Sequence, residues 1–263
     1  MPPPVATRLV ALAREESATP FAALLAAFGL VLGHLGGQTD LVVGTNFAER
    51  GRPELEGLIG CFVNQLALRL SLAGEPSLRE LLRRARRTLV EAQRHGEVPL
   101  EQVLEQLGLG PRAGQGQGEE IFEAKFELLN VPRERPRLGP LEVHPLVEDR
   151  GVVRYLLHLL LEASEDGGFR GLFQYDGGRL EAATAREWSC LFVDACRLLA
   201  ERPELAFAAA KAELASAAEL RQQESGRLQR QANARRLGQS RRPAAVANLS
   251  TPQEPFDDER PNA

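Results

Sequence analysis

Two adjacent carboxamides, Asn64 and Gln65, interrupt an apolar segment of the chain. The β-branched and large apolar residues of 59–70 predict a buried strand. A carboxamide inside such a strand is tolerated only when its polar groups have hydrogen-bond partners. We therefore expect both side chains to be hydrogen-bonded, and we expect the Asn64 amide to hold a neighbouring loop in place.

Histidine is the other residue type here that suits chemistry near neutral pH, because its imidazole gains and loses a proton there. The four histidines of the chain are His34, His95, His144 and His158. His34 lies on an apolar helix and is interpreted as a core residue rather than a ligand. His95 and His158 lack a cysteine or serine partner visible in the sequence, so no nucleophile pair is predicted.

The segment from His95 to Glu101 contains helix-start signals. Pro99 stops the preceding segment and favours the start of a new helix. Glu101 then lies in the first helical turn, where a carboxylate is favoured by about 0.3–1 kcal/mol. These scaffold roles predict a second helix that begins near Pro99.

Other reactive arrangements are missing from the sequence. No glycine-rich phosphate loop, no His/Cys/carboxylate cluster with metal-ligand spacing and no Gly-x-Ser-x-Gly elbow is present. Cys61, Cys190 and Cys196 each lie in an apolar pattern and are expected to be buried thiols rather than a disulfide framework. The sequence therefore predicts neither a metal site nor a directly bound cofactor.

A central helix and a strand must precede the carboxamide strand. Thr19 and Pro20 form a helix start, and apolar residues then cover almost every face of a helix predicted over 19–36. Gly37 helps to end this helix. The apolar residues of 40–46 predict a buried strand.

An amphipathic helix is predicted to follow the carboxamide strand, with Ser77 as its cap. One stripe of this helix is apolar, and its arginines face elsewhere. We interpret these arginines as a solvated face rather than an anion site, and they are Arg83, Arg84, Arg86 and Arg87. The glycine- and glutamine-rich residues 108–118 predict a flexible loop.

The second half of the globular part supplies most of the predicted strands. A turn at 165–168 links the last two strands, and an amphipathic helix over 182–201 follows them. The strands are predicted at 121–130, 140–146, 153–163 and 168–175. This order predicts an α/β fold, and 263 residues with 43% apolar content can bury one good-sized core.

The composition changes beyond residue 205. Residues 206–240 predict a linker or docking helix, and residues 241–263 predict a disordered tail. Residues 221–242 carry seven arginines and one glutamate but no aromatic residue, so a protein-docking or solvated helix is favoured over nucleic-acid binding. No apolar run reaches membrane-spanning length and no signal peptide is visible, which predicts a cytoplasmic protein.

The region around the carboxamides resembles the condensation domains of nonribosomal peptide synthetases. That family has an Asn-Arg-x-Arg-Pro-Glu-Leu-like turn followed by Ile-Gly-x-Phe-Val-Asn-Thr, and this chain has similar residues at 49–55 and 59–65. Three more segments match in order. They are similar to the family's Asp-Ile-Val-Val-Gly-Thr strand, its His-Gln-Asp-x-Pro-Phe-Glu motif and its Phe-Gln-Val-x-Phe strand, at 40–45, 95–101 and 122–126.

The resemblance covers roughly residues 5–202 and implies a two-layer α/β sandwich like one lobe of the chloramphenicol acetyltransferase-like fold. Residues 1–205 would be the C-terminal lobe of a two-lobed domain. That domain forms an amide (peptide) bond between acyl and aminoacyl thioesters held on carrier proteins. The family's catalytic histidine belongs to a His-His-x-x-x-Asp-Gly motif of the first lobe, which this sequence lacks. The segment from His144 to Asp149 only echoes its spacing.

Amide formation would therefore need an N-terminal lobe, in cis or in trans. The alternative is a non-catalytic lobe that binds a carrier protein or a synthetase. The implied partners are a peptidyl or aminoacyl carrier protein with its phosphopantetheine arm, and an N-terminal lobe or upstream synthetase. No catalytic residue is implied in this chain. The implied tunnel or motif residues are Gly60, Phe62, Val63, Asn64, Gln65, Arg69, His95, Pro99 and Glu101.

Two departures from the family pattern indicate relaxed pressure on a working tunnel. The family's Ser-Arg-Asn-Pro-Leu segment is replaced at 115–120 by a glycine-, glutamine- and glutamate-rich sequence. Leu156 stands where an aspartate is usual. Specificity for the donor and acceptor amino acids is not readable from these motifs.

Overall fold

A computed structural model describes residues 1–48, 54, 58–60, 62–109, 121–129, 139, 141, 143 and 153–240. The helices in these residues are α1 (Pro3–Glu15), α2 (Pro20–Gly36), α3 (Leu78–Arg94), α4 (Leu100–Gln106), α5 (Ala182–Glu201) and α6 (Phe207–Ser240). The strands are β1 (Asp40–Ala48), β2 (Val63–Ser71), β3 (Ala124–Leu129), β4 (Leu157–Ala163) and β5 (Phe169–Tyr175). The predicted α/β class is confirmed.

The strands form one mixed sheet in the order β2-β1-β3-β4-β5. Strands β1, β3 and β4 run parallel to one another, while β2 and β5 pair antiparallel at the two sides. The parallel strands therefore begin at one edge of the sheet, which we call the amino edge. They end at the carboxyl edge, where Ala48 of β1 pairs with Val63 at the start of β2.

Side chains alternate between the two faces of the sheet, since successive residues of a strand point to opposite sides. One face, the helix face, carries the apolar core residues and is covered by helices. We call the other the open face. One row of register partners crosses the open face from β2 to β5, and its members are Ala67, Gly44, Lys125, His158 and Gln174.

Helix α2 lies at the centre of the core, as its apolar sequence predicts. The Thr19 hydroxyl accepts a hydrogen bond from the Ala22 N–H at 3.2 Å, and Gly37 ends the helix in a left-handed conformation with φ of 63°. Phe28 is fully buried, and its ring centroid lies 5.7 Å from that of Phe126. This aromatic contact joins α2 to the middle of the sheet.

Helix α1 was not predicted. Its buried residues Val5, Leu9 and Leu12 recur at helical spacing, so the hydrophobic pattern contained the signal. The stripe packs α1 against α2 and α5. The helix therefore completes the layer that covers the helix face.

Helix α6, which covers most of the residues predicted as a linker or docking helix, begins within the core. The buried residues of its first turns recur at helical spacing, and they are Phe207, Ala210 and Leu214. The first of the two compact units of the chain therefore includes the start of α6 and covers Met1–Glu219. The Phe207 N–H also donates to the Pro76 carbonyl at 2.9 Å. The second unit is Leu220–Ala263, and its described residues continue α6 to Ser240.

Some predicted elements lie outside the described residues. Most of the strand predicted at 140–146 and most of the loop predicted at 108–118 are among them. The tail predicted at 241–263 is entirely among them. These three assignments stay predictions.

No single helix in the described part of the chain is long and apolar enough to cross a membrane. Helices α1 and α2 reach that length and composition together, but the pair is bent by 109°. Most of α2 is buried in the core described above.

Candidate functional site

The Asn64 side chain ties the start of β2 to the segment that joins α3 to α4. Its Nδ2 group donates hydrogen bonds to the Gly96 and Val98 carbonyls, each at 2.7 Å. A primary amide has two N–H bonds, so both carbonyls can be satisfied at once. We call this arrangement the Asn64 clamp. It supplies the hydrogen bonds that a carboxamide at this position of the strand was expected to need.

The 95–99 segment reaches the clamp because of how α3 ends. The His95 and Gly96 N–H groups donate to carbonyls of the last helical turn, and the Val98 N–H donates to the His95 carbonyl at 3.2 Å. Gly96 lies against Phe47 of β1, since a Cβ atom there would be 2.9 Å from the Phe47 ring. A larger residue would force either the Phe47 ring or the segment to move. Glycine at this position therefore allows the clamp to close.

Large apolar side chains near the clamp are exposed. Ile59 is fully exposed, Leu58 and Val63 are about half exposed at 51% and 50%, and Val98 is 43% exposed. Isolated exposed apolar residues are ordinary, whereas a contiguous exposed apolar patch is typical of an interaction site. Val63 adjoins Asn64 in the sequence, Val98 supplies one of the carbonyls of the clamp, and Leu58 and Ile59 lie within six residues of Asn64 in the sequence. We call these four residues the motif surface.

Gln65 connects β2 to the open face. Its Nε2 group donates a hydrogen bond to the Tyr155 hydroxyl at 2.9 Å. The Tyr155 ring packs against Phe122 with centroids 5.5 Å apart, and both rings are buried with Leu100. Phe122 lies over Gly44, where a Cβ atom would come within 2.1 Å of the ring. An apolar cover therefore lies on one part of the open face.

Beside this cover, an ion cluster formed by Lys125, Glu127 and His158 lies on the open face. Lys125 Nζ is 2.7 Å from Glu127 Oε1, and His158 Nε2 is 3.6 Å from the same oxygen. The three side chains are only 8%, 14% and 18% exposed. His158 Nδ1 lies 3.1 Å from the Gln174 Oε1 atom, and Lys125 Nζ lies 5.4 Å from the Tyr155 ring centroid.

The ion cluster keeps Glu127 ionised despite its burial. Burial raises the pKa of this carboxyl group, but its interactions with His158 and Lys125 outweigh that effect and leave the pKa below its usual value. At 3.6 Å, the His158 Nε2 atom lies beyond the distance of a good hydrogen bond to this carboxylate. The open face thus carries buried charges that neutralise one another.

The sequence of this chain matches the condensation domain family over residues 2–223. The chain belongs to the condensation domain family. Among curated relatives, phosphinothricin tripeptide synthetase PhsB of Streptomyces viridochromogenes is 38% identical over 179 residues, covering 67% of this chain and 15% of that protein. Malpibaldin synthetase of Mortierella alpina is 37% identical over 180 residues, covering 68% of this chain and 3% of that protein. The chain thus spans only a small part of each of these relatives.

Solved condensation domain structures share the fold. The condensation domain of the monacolin K polyketide synthase MokA superposes with a TM-score of 0.69 at 23% identity, covering 79% of this chain and 47% of that chain. The four-domain nonribosomal peptide synthetase holo-AB3403 gives a TM-score of 0.70 at 19% identity, covering 78% of this chain and 16% of that chain. The chain therefore has a chloramphenicol acetyltransferase-like α/β sandwich and spans less than half of each solved chain.

The structure brings together some of the residues that the condensation-domain resemblance selected. Asn64, Val63, His95 and Pro99 lie at or next to the Asn64 clamp. Gly60 and Phe62 precede the clamp in the sequence, and a Cβ atom added at Gly60 would lie 3.1 Å from the Phe62 ring. Glu101 follows the clamp and lies in the first turn of α4. Their role in a substrate tunnel stays a prediction.

Arg69 is not brought to the clamp. It lies at the amino-edge end of the β1–β2 pair, where its guanidinium group makes a bidentate ion pair with Asp40 at distances of 2.7–3.2 Å. The hydrogen bonds from Arg69 hold the pKa of the Asp40 carboxyl group below its usual value. The His95 imidazole is also directed elsewhere, being 74% exposed and 3.6 Å from a Glu91 oxygen.

Pattern reasoning missed the ion cluster. Lys125 and Glu127 alternate with the buried Phe126 on β3, and this alternation was the available signal for a polar second face. His158 is 31 residues away from Glu127 in the sequence, so only the parallel register of β3 and β4 brings them together.

Four of the arginines of α3, which are Arg83, Arg84, Arg86 and Arg87, make contacts within this chain. Arg83 binds Glu16 and Arg87 binds Glu80, while Arg84 and Arg86 donate to backbone carbonyls. The face that was expected to be solvated is thus a set of surface contacts, in which each of these arginines already has a carboxylate or carbonyl partner. Within the described ranges, no group of three or more potential ligands could hold a metal ion.

The described cysteines behave as buried or half-buried thiols. Cys196 is completely buried, and burial raises the pKa of its thiol far above the usual value. Cys190 is half-buried, and both thiols are free. Cys61 lies outside the described residues. Cys196 is therefore a core residue without nucleophilic character.

Proposed function

We propose that this chain is the C-terminal lobe of a condensation domain and takes part in amide bond formation during nonribosomal peptide synthesis. The observation that carries the proposal is the Asn64 clamp, which joins the two segments that resemble condensation-domain motifs. The share of solved condensation domains that this chain spans, 47% for one of them, also fits one lobe of two. Such a lobe would work in the cytoplasm.

The reaction sets what this lobe must supply. The amine of a carrier-bound aminoacyl group attacks the thioester carbonyl of a carrier-bound acyl group. The new C–N bond forms, the C–S bond breaks, the amine proton goes to a base and the thiol of the phosphopantetheine arm leaves. By resemblance, the base belongs to the His-His-x-x-x-Asp-Gly motif of the other lobe. This lobe would hold the reactants in position, which can contribute as much as proton transfer.

The Asn64 clamp gives this positioning a physical basis. It fixes the 95–99 segment relative to β1 and β2 through hydrogen bonds that need no charge. The adjacent motif surface offers apolar area on which an N-terminal lobe can pack. The clamp and the motif surface together would form the part of this chain that faces the second lobe and the carrier-bound substrates.

Reconstitution tests this proposal. The chain would be co-expressed with the N-terminal half of a condensation domain that carries the His-His motif, and mixed with one acyl-loaded and one aminoacyl-loaded carrier protein. We expect a stable complex of the two halves and an amide product on the acceptor carrier protein, detected by mass spectrometry. Each half alone should give no product. Failure of the two halves to associate would contradict the assignment of this chain as a lobe.

A non-catalytic interaction module is the second candidate. It is favoured for the chain by itself because this sequence has no adjacent histidine pair. In that case the chain would bind a carrier protein or a synthetase without chemistry. Calorimetry would measure the binding of carrier proteins, with and without the phosphopantetheine arm. Together with the product assay, it separates a catalytic lobe from an interaction module. Association with the N-terminal half and carrier binding without product would favour the module.

A further inference from the structure

A concave region lies at the amino edge of the sheet, at the opposite end of β1 from the Asn64 clamp. This amino-edge pocket has a volume of about 460 Å³. Binding cavities for small molecules typically measure about 300–1,000 Å³, and a cavity of about 150 Å³ already holds benzene. The pocket is therefore large enough for a medium-chain or bicyclic ligand.

The walls of the amino-edge pocket are largely apolar and well packed. Leu41, Phe122 and Leu157 form walls that belong to the buried core, at 8%, 6% and 1% exposure. Leu35 from the end of α2 and Trp188 from α5 complete the lining. Because α2, α5, β1 and β4 carry four of these five side chains, the pocket is preformed by the fold.

The polar groups of the pocket divide into paired and unpaired groups. Both lining carboxylates are ion-paired, Asp40 with Arg69 at 2.7 Å and Glu123 with Arg179 at 3.0 Å. In contrast, the Gln38 side chain is exposed and Trp188 is half-buried, and within the part of the chain that the structure describes neither side chain makes a hydrogen bond to another protein group. The pocket thus offers neutral hydrogen-bonding groups beside apolar walls.

We propose that the amino-edge pocket binds an uncharged ligand that has an apolar body of about eight carbons and one carbonyl or amide group. An apolar body matches the leucine, phenylalanine and tryptophan walls, and a carbonyl can accept from the indole or the amide. A charged ligand is disfavoured, because charge transferred into an apolar site needs a partner and both carboxylates already have one. This site is independent of the proposed role of the clamp.

Trp188 makes the proposal measurable, since it is the only tryptophan in the chain. Octanamide would be titrated into the full chain while the Trp188 fluorescence is followed, with calorimetry as a second readout. We expect a saturable change for octanamide and at least tenfold weaker binding for butanamide, octanoate and octylammonium. The shorter amide tests the apolar body, and the two ions test the preference for a neutral group.

Two substitutions that fill the pocket locate the binding site. Leu35→Phe adds volume at a half-buried position, and Ala124→Leu adds it at the start of β3. Each should weaken octanamide binding at least tenfold, while Ala209→Leu on the exposed side of α6 should leave it within twofold. Circular dichroism would identify a variant that fails to fold, and the other variant then decides. Octanamide binding that does not saturate, or that survives the filling substitution, would overturn the proposal.

Discussion

The two polar regions of the sheet are built from different chemistry. At the carboxyl edge, Asn64 holds the 95–99 segment through two neutral hydrogen bonds at a half-buried position. In the middle of the open face, the Lys125 ammonium and the Glu127 carboxylate form a pair beside His158 at buried and half-buried positions. Loss of one partner is costlier for a buried charge than for a carboxamide. The clamp can therefore change with a modest loss of stability, whereas the ion cluster must stay complete.

The largest predicted effect follows from removing the shared carboxylate of the ion cluster. Glu127→Leu leaves the Lys125 ammonium without its counter-charge, so we expect the free energy of unfolding to fall by about 3–5 kcal/mol. Urea denaturation followed by circular dichroism measures this change. The double variant Lys125→Met/Glu127→Leu is the matched control, and it should recover most of the loss because no unpaired ammonium remains. A single-variant loss below about 1 kcal/mol would mean that the cluster behaves like a surface ion pair.

Acid should weaken the ion cluster and spare the clamp. The pKa of Glu127 is lower in the folded chain than its ordinary value of 4.5, so this carboxylate adds stability above that value. Its contribution should be lost as the pH falls through the depressed pKa. The difference in unfolding free energy between wild type and Glu127→Leu should therefore shrink between about pH 5 and pH 3.

The matched control for this pH series is Asn64→Leu, which removes no titrating group. The difference in unfolding free energy between Asn64→Leu and wild type should stay constant over the same pH range. A difference for Glu127→Leu that is equally constant would show that Glu127 titrates alike in the folded and unfolded states.

A smaller effect is predicted for the clamp itself. Asn64→Leu removes both donors to the Gly96 and Val98 carbonyls, but these carbonyls can turn to water. We expect a loss of about 1–2 kcal/mol in unfolding free energy, together with faster amide hydrogen exchange across 95–99. Thr88→Val is the control, because it removes a single exposed hydrogen bond to the Arg69 carbonyl. Unchanged exchange in the 95–99 segment would show that other contacts hold it.

Local sequence signals predicted the elements that carry their own start and stop residues. Helix α2 was predictable from Thr19 and Gly37, and the turn between β4 and β5 was predictable from its glycines, with Gly167 at φ of 83°. The need for a partner at Asn64 was predictable because a carboxamide stood in an apolar strand. In each case, a few adjacent residues contained the information.

Features that depend on strand register were not predictable from one sequence. The ion cluster needs β3 and β4 to align Lys125 with His158, and nothing local to either strand reveals that pairing. Likewise, Arg69 shares a strand with Asn64, yet it pairs with Asp40 at the far end of β1. The buried start of α6 was missed because Ala210 and Leu214 are modest signals until Phe207 is placed in the core.

The most direct test of the central claim is the initial rate of amide formation by the reconstituted domain, measured with wild type and Asn64→Leu. We predict a rate about 10–100-fold lower for Asn64→Leu with unchanged association of the two halves, because the clamp positions the 95–99 segment. The control Arg8→Ala breaks an exposed pair with Glu201 and should match wild type. An Asn64→Leu rate equal to that of wild type would contradict a functional role for the clamp.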